Sequence, residues 1–257
     1  MGRLEGKVAI VTGGASGIGK AIASEYARQG ARVCIADVSQ DRCEAAAQEI
    51  ASGAMGCALD VRDPSSITAA VKATVGRYGR LDILVNCAGV FAMGLITEIG
   101  PEDFDRVVAV NTRGLLFMIQ GAARQMIAQG SGGAIVTIAS GAGRRAPPGA
   151  VVYGLSKAAA ISINQVAAQE LIRHGIRCNA IAPGAVKTPM WDVVEESFSK
   201  TLGVPTGAAA QGQVAVTPLG RMAAPDEFAG PAVFLASDES SYVVGQTLNV
   251  DGGLNLG

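Results

Sequence analysis

The chain has 257 residues, of which 49% are apolar and 17% charged, with a formal net charge of −1. That length suits one large α/β core, and the near-neutral balance excludes the electrostatic footprint of a nucleic-acid or anionic-membrane binder. No apolar run approaches the ~20 residues of a membrane helix.

The first residues, Met1 to Lys7, carry Glu5 and lack an apolar core, which argues against a signal peptide. Gly6 stands where myristoylation wants Ser or Thr. The five cysteines (Cys34, Cys43, Cys57, Cys87, Cys178) are odd in number and form no C-x-x-C, so reduced thiols in a cytoplasmic protein are expected and no metal site. The single histidine, His174, precedes Gly175 as in a helix C-cap.

In chain order, Lys7–Thr12 is an apolar, β-rich run that predicts a buried strand. Gly13-Gly14-Ala15-Ser16-Gly17-Ile18-Gly19 comes next, then a helical pattern through Gln29. Glycines let the backbone approach a pyrophosphate, and the helix start offers N–H groups and a positive dipole end. A P-loop nearly fits at Gly14, Gly19 and Lys20, but Ala21 lacks the hydroxyl that binds Mg²⁺.

Arg32–Asp37 predicts the second strand, ending in an acid about twenty residues past the turn. An acid there accepts hydrogen bonds from the adenosine ribose and repels a 2′-phosphate. With Val38 beside it and no adjacent Arg, the cofactor expected is NAD rather than NADP. Alternatively Asp37 merely caps the next helix, a task Ser39 can also perform.

Ala54–Val61 predicts strand three and Asp63-Pro64 a helix start. Leu81–Asn86 predicts strand four, running into Cys87-Ala88-Gly89. Residues 102–129 form a long helical stretch interrupted by Asn111, which either bends the helix or holds a structural water. Gly133–Ser140 predicts strand five, and 144–149, with Arg144 and Arg145, a loop at a substrate mouth. Its arginines are more simply solvated charges than substrate contacts.

A helix is expected over 153–173, then strand six (Ile176–Ile181), a helix at Pro225–Ser237 and a last strand at Gln246–Val250. Residues 185–220 break the alternation and predict a mobile insertion of the kind that serves as a lid. The alternation predicts a doubly wound, Rossmann-like parallel sheet in a single domain.

Tyr153 and Lys157 are four apart and share one helix face. A phenol is a poor base near neutral pH, but a neighbouring cation favours the phenolate. The pair is thus suited to move a proton to and from an alcohol or ketone, with Ser140, at a strand end, holding the substrate oxygen. By itself such a spacing is as well explained by ordinary surface packing.

These residues together resemble the short-chain dehydrogenase/reductase family over essentially the whole chain. The elements that carry the likeness are Thr12-Gly13-x3-Gly17-Ile18-Gly19, Asp60-Val61, Asn86-x-Ala88-Gly89, Asn111, Ser140, Tyr153-x3-Lys157 and Pro183-Gly184 with Thr188. The resemblance implies strand order 3-2-1-4-5-6-7, a homotetramer, and a catalytic set of Asn111, Ser140, Tyr153 and Lys157. It also implies that Tyr153 is the acid/base, that Lys157 lowers its pKa and binds the nicotinamide ribose, and that Asn111 holds a relay water. Gly13, Ser16, Gly17, Ile18, Gly19, Asp37, Asn86, Ala88 and Gly89 then belong to the cofactor site. Asp60 and Val61 resemble adenine contacts, and Val186 and Thr188, after Pro183 and Gly184, grip the carboxamide. Cys87 departs from the family's usual Asn, which implies altered turn packing.

Within the family, Gly141-x-Gly143-Arg144-Arg145, Trp191-Asp192 and Pro218-Leu219-Gly220-Arg221-Met222 resemble the bacterial sorbitol (polyol) dehydrogenases. This implies a polyol or ketose substrate, with Gly141 and Trp191 near it. Other substrates of the same chemistry remain open: a 3-oxoacyl thioester, hydroxybutyrate, butanediol or a steroid. So does a non-catalytic dinucleotide-binding protein.

Overall fold

The computed structural model describes residues 2–50 and 53–255. Seven parallel strands form one sheet: β1 (Val8–Thr12), β2 (Arg32–Asp37), β3 (Met55–Ala58), β4 (Ile83–Asn86), β5 (Gly133–Ile138), β6 (Ile176–Pro183) and β7 (Thr247–Val250). Their order is 3-2-1-4-5-6-7, as expected. All five residues of β1 and all four of β4 are buried, which is why both strands read as unbroken apolar runs rather than alternating ones.

The helices are α1 (Gly17–Arg28), α2 (Gln40–Ile50), α3 (Pro64–Tyr78), α4 (Pro101–Val108), α5 (Leu115–Gln129), α6 (Val151–Leu171), α7 (Pro189–Leu202), α8 (Ala208–Val216) and α9 (Ala229–Ala236). One face of the sheet packs on Ile22, Tyr26, Phe228 and Val233, the other on Ile67, Val71, Met118 and Met126. The strand order reverses between β1 and β4, where Thr12 lies level with both Ala36 and Asn86. A crevice opens there, beyond the carboxyl ends of the strands.

Two expectations are corrected: where strand three ends and how the helix at Pro225 begins. Strand three ends at Ala58 rather than Val61. Leu59 still donates to the Asp37 carbonyl at 2.8 Å, but the Asp60 amide goes to Ser66 Oγ, and Asp63 caps α3 at Ser65. The long helix over 102–129 is divided by a π-helical stretch, Ala109–Gly114, that contains Asn111.

The helix expected at Pro225–Ser237 begins instead as a 3₁₀ turn, Pro225–Phe228, before α9. Residues 185–220 contain two helices, α7 and α8. Thr188 and Pro189 start the first of these. The Glu195 carboxylate reaches from it to the amides of Gly207, Ala209 and Ala210 at 2.6–3.1 Å, satisfying orphan donors at the start of α8.

Candidate active site

A cavity of about 1080 Å³ runs from the glycine turn, past the ends of β2 and β4, to the end of β5 and the inner faces of α7 and α8. Gly13 and Gly17 have φ of +64° and +52°, a region that L side chains rarely enter. A Cβ at Gly13 would sit 2.9 Å from the Ala88 backbone, and one at Gly17 would lie 3.2 Å from the Thr188 methyl. The Ser16 hydroxyl makes no capping bond at the start of α1, so it remains available to a ligand. This cradle, with its helix N-terminus, fits a pyrophosphate.

Asp37 and Val38 stand on the same wall. Asp37 does not cap α2: Ser39 does, its hydroxyl accepting from the Arg42 amide at 3.4 Å, while Asp37 Oδ1 accepts only from the Val38 amide. Among the described residues no other donor reaches this carboxylate, which lines the cavity. Asp60 and Val61 lie beside it. The Arg62 guanidinium grips Asp60 at 2.7–3.1 Å and holds that carboxyl below the usual carboxylate range. Arg42 also lines this wall; it lies five positions beyond Asp37, too far along the chain for the adjacency expected of a phosphate partner to find it.

At the other end stand Ser140, Gly141, Tyr153 and Lys157, with Trp191 on α7. Ser140 Oγ accepts from the Ala142 amide at 3.1 Å, closing a tight turn after β5. Lys157 is 7% exposed and donates to the Ile138 carbonyl at 2.8 Å. Its ammonium lies 5.8 Å from the centre of the Tyr153 ring, and Phe91 packs on that ring at 5.0 Å. Phe91, on the loop after β4, carries no periodic signal that would have found it.

Burial dominates the electrostatics here. It pushes the Tyr153 phenol up to about 12, with hydrogen bonding to Ser140 working the other way, and pushes Lys157 down to about 8. Cys87, in place of the usual Asn, donates its amide to Thr12 Oγ1 at 3.1 Å, and burial lifts its thiol to about 11.

Ala88, Gly89, Pro183, Gly184, Val186 and Thr188 complete the cavity wall. Three expected residues stand off it. Gly19 packs where a Cβ would lie 2.3 Å from the Gly13 carbonyl, so it serves the turn rather than the ligand. Asn86 and Asn111 line a small void behind the cavity that they share with Lys157 and Thr137. Asn111 exchanges both amide groups with the Val90 backbone at 2.9 Å and donates to Ser156 Oγ at 3.0 Å. Its side chain is therefore committed to holding the β4 loop against α6. In the same void Asn86 Nδ2 and Thr137 Oγ1 have no hydrogen-bond partner, a setting suited to a buried water.

The comparisons with known proteins agree with this geometry. A family model described as "Enoyl-(Acyl carrier protein) reductase" matches residues 13–255. The chain is 48% identical over 251 residues to a sorbitol dehydrogenase of Cereibacter sphaeroides and 45% identical over 251 residues to a galactitol 2-dehydrogenase of Agrobacterium fabrum. Each alignment covers 98% of both chains. It superposes on a short-chain type dehydrogenase/reductase from Mycobacterium marinum with a TM-score of 0.91 at 33% identity, covering 99% of this chain and 97% of that one. A glycine cradle at the switch point of a doubly wound sheet opens into the same cavity as a Ser, Tyr and Lys, and the match spans nearly the whole chain: this protein is an oxidoreductase of the short-chain dehydrogenase/reductase family.

Proposed function

We propose that the protein interconverts a secondary hydroxyl of a polyol and the matching ketose, using NAD. The observation that carries this reading is that Ser140, Tyr153 and Lys157 stand on the wall of one cavity continuous with the glycine turn and Asp37. The dinucleotide, when bound, supplies the hydride acceptor or donor. Tyr153 moves the proton at the substrate oxygen, Ser140 orients that oxygen, and Lys157 holds the ribose and the charge balance. Asn111 supports them by fixing the Val90 loop and Ser156, whose hydroxyl donates to the Tyr153 carbonyl at 2.8 Å.

The polyol assignment is supported by the likeness to the sorbitol and galactitol dehydrogenases. The sheet and its helices form one domain in this reading, with α7 and α8 as the lid. Exposed apolar residues on α5 (Leu116, 46% exposed) and α6 (Val166, 51%) support a homotetramer, and five free thiols support a cytoplasmic setting.

NAD is favoured by the free Asp37 carboxylate. Arg42 on the same wall favours NADP as the second reading, because a guanidinium is a ready 2′-phosphate ligand. One experiment decides both questions: reduced-nicotinamide absorbance with NAD⁺ or NADP⁺ against sorbitol, galactitol, mannitol, xylitol, butanediol and hydroxybutyrate, with acetoacetyl thioester in the reducing direction. Turnover of a polyol with NAD⁺ is expected. Turnover confined to the thioester or hydroxybutyrate overturns the polyol assignment, and preference for NADP⁺ overturns the role given to Asp37.

A further inference from the structure

Leu254 and Asn255, at the end of the described chain, line the cavity that also holds Ser140, and none of the proton or hydride chemistry uses them. After β7 the chain turns through Gly252 and Gly253, with φ of +69° and +90°. Asp251, 8% exposed, ties this turn together. Its carboxylate accepts from the amides of Gly253, Leu254 and Asn255 at 3.1, 3.2 and 2.9 Å, and from Asn255 Nδ2 at 2.8 Å. Asn249 Nδ2 donates to the Asn255 carbonyl at 3.1 Å. Asn255 is thus held through its backbone and its side chain at once.

Asn255 and Leu254 line the cavity. A Cβ at Gly141, the residue after Ser140, would lie 3.0 Å from Asn255 Nδ2. Nδ2 gives one of its two N–H groups to Asp251, which fixes the amide's orientation, and no described residue hydrogen-bonds to Oδ1. The α7 side of the cavity is apolar, lined by Met190, Trp191, Val194 and Phe198. A substrate with a hydroxyl on every carbon must find acceptors on the opposite side, and an amide with one end locked is an acceptor of fixed orientation.

We propose that Asn255 is a substrate-binding residue whose side-chain carbonyl accepts a hydrogen bond from a hydroxyl next to the reacting carbon, and that Asp251 is the positioning residue that aims it. This rests on the polyol reading. Asn255→Ala raises the KM for the polyol about tenfold, the loss expected for one hydrogen bond in a partly enclosed site, and leaves kcat and the KM for the dinucleotide nearly unchanged, while the melting temperature falls modestly for the lost bond to Asp251. Asp251→Asn turns a donor toward Asn255 Nδ2 and moves the polyol KM in the same direction.

The measurement is steady-state kinetics of the full-length wild type and both variants on sorbitol, galactitol and xylitol, with thermal melts alongside. An unchanged polyol KM in Asn255→Ala overturns the proposal, as does a loss confined to kcat or equal for polyol and dinucleotide. A melting-temperature drop in Asp251→Asn without a change in polyol KM overturns its positioning role. Wild-type protein that turns over none of the polyols overturns the polyol reading itself, and this proposal with it.

Discussion

The wall formed by residues 12–37 and the wall formed by residues 189–216 face the same cavity but are held in place by different means. The first is backbone against backbone. Gly13, Gly14 and Gly19 each lie where a Cβ would meet main-chain atoms at under 3.0 Å, and β1 behind them is wholly buried. The second rests on few contacts: α7 has no buried residue, α8 has only Ala209, and one carboxylate, Glu195, ties the two helices together. Under the proposed function, the wall that would hold the same dinucleotide in every turnover is the stiff one, and the wall that would admit and release substrate is the one with little buried surface.

The largest effect is expected where both walls meet. Tyr153→Phe keeps the ring against Phe91 and removes only the hydroxyl, so turnover falls about 10³-fold or more while dinucleotide binding, followed by fluorescence titration, stays as in the wild type. Wild-type-like turnover would remove Tyr153 from the chemistry. Because burial lifts the phenol up to about 12, alcohol oxidation, which needs the proton removed, rises with pH over the neutral to alkaline range, whereas ketone reduction, which needs the phenol protonated, stays level there.

Lys157→Met tests what the buried cation costs the fold. The lysine titrates near 8 in the folded chain against 10.5 when free, so the folded state binds fewer protons. The penalty is complete below about 8 and fades as pH rises toward 10.5. The variant is inactive but more stable near neutral pH, by up to about 3 kcal/mol less whatever the Ile138 hydrogen bond contributes. Urea titrations at pH 7 and pH 10 check this; a gain that does not shrink at the higher pH would be of another origin.

Gly13→Ala strikes the stiff wall, placing a methyl at 2.9 Å from backbone and at φ +64°. It lowers stability by about 1–3 kcal/mol and weakens dinucleotide binding at least tenfold. Glu195→Ala, on the compliant wall, has the smallest effect: about 1 kcal/mol from lost capping, a severalfold rise in substrate KM, and no change in dinucleotide affinity. If the Glu195 variant instead disturbed dinucleotide binding as much as the Gly13 variant, the distinction between the walls would collapse. Trp191, the only tryptophan, reports any movement of α7 by its fluorescence.

Much of this was legible in the residues. The buried strands show as apolar runs, and the order of the sheet agrees with the family resemblance. The 54–61 run overshot because Leu59 is apolar yet lies beyond the last register pair, where Asp60 and Asp63 turn the chain into α3. Residues 185–220 break the strand–helix alternation and show no helix in the residue pattern because glycine and proline are frequent there, although Pro189 sits at a helix start, where it is tolerated, and Gly203 ends α7 with φ +66°.

The glycine turn, Asp37 and the four-residue spacing of Tyr153 and Lys157 could be read along the chain, because turn chemistry and helical periodicity act over a few residues. Folding in three dimensions was needed to bring Phe91 onto the tyrosine, Arg42 to the side of Asp37, and Asn255 to the side of Ser140. It also buried Lys157 against Ile138, which sets its protonation. Phe91 and Asn255 are brought to their neighbours by parallel crossovers between strands distant in the chain, Arg42 is turned toward Asp37 by the first turn of α2, and desolvation depends on everything that packs around a group, so none of these leaves a simple pattern to read.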